Sequence, residues 1–222
     1  MVTEDIFVAA EETKNEICAN QEDADASQTK EIPKHPLQNT WVIWFNKRNP
    51  HSKSKSENSP DSGVEVASFS NVEDFWAIYN FIQKPSMFKS VCDFNIFKKG
   101  IRPTWKDKKT EGISGRWTIR LDNPSPTYVD QLWLELLMAM LGEQFGEYGE
   151  HIDGAAFNIR NGIKLNLWTS LKLELIKEFM ETEGTMNGDI RKQIIAAKNE
   201  EIGKLLKDKL NVHENVTWEG FW

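Results

Sequence analysis

The sequence predicts an α+β domain in which antiparallel strands carry their helices on one side. Three observations point there. "TWVIWFN" (40–46) and "RWTIRL" (116–121) alternate as strands do, residues 72–82 and 127–145 carry apolar residues at helical spacing, and "AAFNIRNGIKLNLW" (155–168) reads as a hairpin.

The first strand places Trp41, Ile43 and Phe45 on one face and Val42 and Trp44 on the other, so it is covered on both sides. From Asn46 to Gly63 no apolar residue occurs, which predicts a long mobile loop before "VEVAS" resumes a strand. Ser70 and Glu73 have capping-box spacing, and Val72, Phe75, Trp76, Tyr79 and Ile82 follow as a first helix. Beyond Pro85, "FNIF" and "RWTIRL" are two amphipathic strands, the second with Trp117, Ile119 and Leu121 on one side and Arg116, Thr118 and Arg120 on the other.

The helix from Thr127 to Phe145 is apolar on nearly every side between Leu132 and Leu141, so it is either enclosed or displays a partner-binding face. In the hairpin, a two-residue Asn161-Gly162 turn would put Arg160 and Lys164 on opposite faces. A three-residue loop instead gathers Phe157, Ile159, Leu165 and Leu167 on the buried face and Asn158, Arg160, Lys164, Asn166 and Trp168 on the other. Two further helices are expected over Leu171–Glu183 and from an Asp189 cap to Leu210, the latter turning Ile190, Ile194, Ile202, Leu205 and Leu206 inward. "ENVTWEGFW" closes as a short strand.

Charge divides the chain. The 222 residues carry a net charge of −7, yet residues 1–33 hold nine of the 34 acids and two of the 27 basic residues, leaving 25 of each in residues 34–222. Residues 1–33 therefore read as a disordered acidic tail and residues 34–222 as a single domain. The opening "MVTEDIFVAA" has no basic region followed by a long apolar run, and no stretch reaches the length of a membrane span. An intracellular protein, cytoplasmic or also nuclear, is expected. Cys18 and Cys92 make neither a disulfide framework nor a metal site, so both are expected as free thiols.

Nine tryptophans call for an explanation. Trp41, Trp44, Trp76 and Trp133 lie in strong strand or helix patterns, where core packing accounts for them. Trp105 stands in the polar loop "GIRPTWKDKKTEG", where stacking on a flat ligand and simple loop packing are both open. Arg116, Arg160, Lys164 and Trp168 fall on the non-core side of neighbouring strands. For each cation alone a solvated face is the commoner explanation, and it is their convergence beside a ring that suits a phosphate chain attached to a stacked base.

Five segments in order, "HPLQNTWVIWF" (35–45), "VEDFWAIYNFI" (72–82), "FKKGIRPTW" (97–105), "GRWTIRL" (115–121) and "LWLELLMAMLGEQF" (132–145), resemble the translation initiation factor 4E family. The resemblance covers roughly residues 35–168. It implies a curved antiparallel sheet of about eight strands, three main helices on its convex face, and a front pocket for the 7-methylguanosine 5′ cap of mRNA. On matching positions it implies base stacking by Trp105 and Trp168, base-edge reading by Asp107, and phosphate contacts from Arg116, Arg160 and Lys164. For the back surface it implies docking of a Tyr-x4-Leu-apolar helix from a 4G-type scaffold or a 4E-binding repressor. His35, Pro36, Val72, Trp76, Leu134, Glu135, Leu137, Met138 and Gly142 match that patch. A monomer with no cofactor, no metal and no enzymatic activity is expected.

Two positions depart from the pattern. Between Phe45 and Phe69 the only ring is His51, where the family places a first stacking ring, and the loop's length resembles the family's homologous-protein branch. Lys106 follows Trp105 where a carboxylate is expected, with Asp107 one place later. A lost ring costs about 1–3 kcal/mol, and a lost charge-assisted hydrogen bond about 1.5–3 kcal/mol. These departures define the alternative, a divergent paralogue of weak or no cap affinity that competes for 4E-binding partners.

Overall fold

The computed structural model describes residues 33–47, 63–104, 112–160, 162–172, 188–212 and 216–221. Its strands are β1 (Pro36–Lys47), β2 (Val64–Asn71), β3 (Cys92–Lys98), β4 (Gly112–Leu121), β5 (Ile152–Arg160), β6 (Gly162–Lys172) and β7 (Val216–Phe221). The helices are α1 (Val72–Phe81), α2 (Pro126–Leu141) and α3 (Gly188–Leu210), with short 3-10 turns at Pro85–Met87 and Gly146–His151.

All seven described strands form one open, curved antiparallel sheet in the order β2-β1-β3-β5-β6-β4-β7. Seven strands stand where about eight were expected. Alternation decides which side chains meet the helices. Trp41, Ile43 and Phe45 of β1, Phe94 and Ile96 of β3, Phe157 of β5, Leu165 and Leu167 of β6 and Ile119 of β4 join one core with Phe75 of α1, Trp133, Leu136 and Leu137 of α2, and Ile202 and Leu206 of α3. Trp133 is fully enclosed and meets Phe94 and Phe157 edge-on, each with ring centroids 5.9 Å apart. Such pairs add about 0.5–1.5 kcal/mol each beyond area burial.

The hairpin pairs Phe157 with Leu165, Asn158 with Lys164 and Ile159 with Ile163, which is the three-residue-loop register. Four expectations shift. The α1 cap is Asn71, whose side chain accepts from the Asp74 N–H at 2.8 Å. Ser70 sits in β2, and Glu73 turns to another partner. β6 continues to Lys172, because Leu171 and Lys172 pair with Ile113 and Gly112 of β4, so no helix begins at Leu171. In α3 the inward residue is Ile195 rather than Ile194, about two turns before Ile202 and buried as Ile202, Leu206 and Leu210 are, while the side chain of Ile190 lies outside the described ones. The helix approaches the sheet closely at Gly203, where a Cβ would lie 2.3 Å from the Trp117 ring. The tail (apart from Pro33), the loop core at 48–62, Cys18 and the segment 173–187 lie outside the described residues.

Candidate functional site

The front of the sheet, opposite the helices, is organised by strand register into cross-strand rows. One row runs Val42, Phe97, Gly154, Trp168, Arg116, Glu219 across β1, β3, β5, β6, β4 and β7. The next runs Trp44, Asn95, Ala156, Asn166, Thr118, Thr217, and a third Asn46, Asp93, Asn158, Lys164, Arg120. Character changes along this face. The first row is apolar at its β1 end, the second is mainly polar, and the third carries cations toward β4.

Trp168 is buried, not open to solvent: it packs with Phe97 and Ala156, and Trp44 and Ile101 flank the cluster. Its ring meets Phe97 edge-on at 5.5 Å and 70°. Gly154 makes this possible, since a Cβ there would lie 2.6 Å from the Phe97 ring. A β-bulge between Ile152 and Gly154 sets Asp153 beside the row, where its buried carboxylate accepts from Ser170 Oγ, itself 3.1 Å from Ser114 Oγ.

A part-buried polar chain links the sheet. Asp93 accepts from Arg160 (3.1 Å) and Asn158 (2.7 Å), the Asn158 carbonyl accepts from Asn166 (2.7 Å), and the Asn166 carbonyl accepts from Thr118 (2.8 Å). Every link satisfies a group that would otherwise be costly to bury. Arg160 is thus held by a carboxylate while 46% of its side chain stays exposed. Arg116 is likewise ion-paired with Glu219 at 2.8 Å. Lys164 is held below the ordinary lysine range, first by burial and then by the charges of Arg120, Arg116 and Arg160, with Glu219 acting the other way. The three expected cations therefore share one electrostatic neighbourhood, and Arg120 belongs to it as well. Trp105 and Asp107 lie outside the described residues, in 105–111 between β3 and β4.

On the back, His35 and Glu73 are joined twice. Glu73 accepts from the His35 backbone N–H at 2.9 Å and meets Nδ1 at 2.6 Å, which holds its carboxyl below the usual range. The His35 carbonyl accepts from the Val72 N–H at 2.9 Å. Together with the Lys34–Asp74 ion pair this ties the segment before β1 to the first turn of α1. Val72 and Trp76 are exposed at 37% and 36%. Burial pushes the Tyr79 hydroxyl up to about 12, and the charge of Asp130 of α2 adds to the shift. Leu134, Glu135 and Met138 of α2 are half-buried, Pro36 and Gly142 exposed, and Glu135 accepts from Gln131 at 2.8 Å. Leu137 departs from the expected surface: at 0% exposure it belongs to the core.

Sequence patterning missed Asp93 and Glu219 as partners of the cations, and placed Asn158 and Asn166 on the right face without the hydrogen bonds that link them to Asp93 and Thr118. Their period-two position opposite Phe94, Phe157, Leu167 and Trp218 was the available signal. The bulge at Asp153 had none.

The family model of eukaryotic initiation factor 4E matches residues 36–220. The eukaryotic translation initiation factor 4E of Aplysia californica is 39% identical over 187 residues, 83% of this chain and 74% of that protein. Factor 4E1 of Drosophila melanogaster is 42% identical over 147 residues (66% and 54%), and factor 4E of Homo sapiens 41% over 164 (71% and 73%). Among solved structures, the chain resembles Caenorhabditis elegans eIF4E-3 in complex with the 4E-binding protein Mextli and cap analog. There the TM-score is 0.63 and the identity 34%, covering 84% of this chain and 92% of that one. It resembles Schistosome eIF4E complexed with m7GpppG and 4E-BP at TM-score 0.64 and 26% identity, covering 85% and 90%.

Proposed function

The chain belongs to the eukaryotic initiation factor 4E family, and on that premise we propose that it recognises the 7-methylguanosine 5′ cap of mRNA and acts in translation initiation or its regulation. The observation that carries this reading is the front face itself. Trp168, Arg116, Arg160 and Lys164 share it, and Lys164 feels both arginines. An aromatic end continuous with a cationic end suits a ligand that is a flat base at one end and a phosphate chain at the other. Methylation makes the base cationic, which favours indole faces and a carboxylate over unmethylated guanine.

In this reading Trp105 stacks on the base, Asp107 reads its edge, Trp168 lines the methyl side, and Arg116, Arg160 and Lys164 hold the phosphates. Asp93 and Glu219 orient the two arginines. The role is binding rather than catalysis, exercised in the cytoplasm or also the nucleus. No described helix is long and apolar enough to cross a membrane.

The back surface docks a short amphipathic helix from a scaffold or repressor protein, with His35, Pro36, Val72, Trp76, Leu134, Glu135, Met138 and Gly142 exposed or half-exposed for it and Leu137 supporting from beneath. Titration of tryptophan fluorescence with 7-methyl-GTP and with GTP tests the front-face reading. Saturable quenching that favours the methylated analogue is expected. Equal quenching by both would sink it.

A further inference from the structure

Among the described side chains, four cations, Arg116, Arg120, Arg160 and Lys164, face the front of the sheet, but they are not equivalent. Arg160 and Arg116 each come with a carboxylate, Asp93 and Glu219. Arg120 and Lys164 stand directly opposite each other in the β4–β6 register, and among the described residues neither forms an ion pair with an acid. Like charges in that position are unfavourable in a sheet. Arg120 is the first-ranked charge acting to depress Lys164. It is exposed and lies on β4 one residue beyond Ile119, which pairs with Val216, the first described residue of β7.

An anion seated between the two side chains would relieve that opposition. Its position can be read from the rows. Arg116 and Arg120 are four residues apart on one strand, so their Cα atoms are separated by roughly 13 Å. That is several times the length of one charge-assisted hydrogen bond, about 2.7–2.9 Å, so the strip addresses a chain of charges rather than one ion. Trp168 marks the aromatic end at the Arg116 row, and the Lys164–Arg120 row lies away from it.

We infer that Arg120, beside the Lys164 that takes the end of the cap's phosphate chain, forms a phosphodiester seat for the RNA strand that continues beyond the cap, so that the body of the transcript adds to binding. This rests on the cap reading for the direction in which the strand runs. The ligand is the ribose-phosphate backbone of single-stranded RNA, recognised by charge without base readout.

The test compares the full chain with Arg120→Ala and Arg120→Lys. The probes are 7-methyl-GTP, a short capped oligoribonucleotide, and the same oligonucleotide with an uncapped 5′-triphosphate. Arg120→Ala should weaken both oligonucleotides several-fold and reduce the steepness of their salt dependence by about 0.7 in log–log slope. It should weaken 7-methyl-GTP much less than either oligonucleotide, and Arg120→Lys should retain most of the oligonucleotide affinity. Equal weakening of 7-methyl-GTP would assign Arg120 to the triphosphate and overturn the inference, and so would unchanged oligonucleotide binding. Capped against uncapped binding in the unmutated chain judges the cap reading separately.

Discussion

Asp93, almost wholly buried in β3, accepts hydrogen bonds at 3.1 and 3.2 Å from one guanidinium nitrogen of Arg160, at the end of β5. Asn158 donates to the same carboxylate at 2.7 Å. The pair fixes a cation at the front of the sheet from below, leaving its outer face open. Losing the carboxylate leaves two donors without their acceptor, at a cost of about 1–3 kcal/mol. Asp93→Ala should lower unfolding stability by that order in urea titration. If stability is unchanged, the pair is an incidental surface contact.

The His35–Glu73 contact makes a pH prediction. Hydrogen bonds from His35 are the leading causes that hold the Glu73 carboxyl below its ordinary value. A carboxyl depressed in the folded state contributes stability above the unfolded value near 4.3, and that contribution is lost as pH falls through the lower folded value. His35→Ala removes the side-chain hydrogen bond, the first of these causes, and should therefore raise the Glu73 pKa, read from its carboxyl carbon shift by NMR titration; the stability it takes away is lost at neutral pH and not at low pH, where the carboxyl is protonated. An unmoved titration curve would show that His35 is not the cause.

Trp76 and Leu137 separate surface from support. Trp76 is 36% exposed and Leu137 is 0% exposed. Leu137→Ala should destabilise the fold by about 2–5 kcal/mol, as buried leucine truncations do. Trp76→Ala should cost less in stability but abolish capture of a Tyr-x4-Leu-apolar peptide. Retained peptide binding in Trp76→Ala would move the docking site elsewhere. Loss of binding in Leu137→Ala alone, in step with unfolding, would not implicate the surface.

Much of this architecture was legible because alternation and helical spacing report burial directly. The hairpin register followed from keeping Phe157 and Leu165 on one face, and the structure pairs them. The α1 cap was misread by one residue because Ser70 and Asn71 are both good caps, and only the paired strand decides which is still extended. The resemblance places Leu137 in the docking patch, and because α2 is apolar on most sides the pattern of residues does not say which apolar side faces the sheet. The carboxylates that hold Arg160 and Arg116 come from β3 and β7, far away in sequence, so their roles emerge only once the strand order is known.

Gly154 tests whether Trp168 depends on its neighbours for position. The glycine lies beneath the Phe97 ring, and an added Cβ would meet that ring at 2.6 Å and the Ile96 carbonyl oxygen at 2.5 Å. Both contacts have to be relieved, by a shift of the β3–β5 backbone at Ile96 and by displacement of the Phe97 ring. Because Phe97 meets Trp168 edge-on, its displacement changes the packing of the indole. Gly154→Ala should cost about 1–3 kcal/mol and alter the near-UV circular dichroism. If Trp168 lines the base, 7-methyl-GTP affinity should fall while the salt dependence of binding stays the same, since no cation is touched. A changed salt dependence with unchanged near-UV signal would instead place the disturbance among the cations and detach Trp168 from the base.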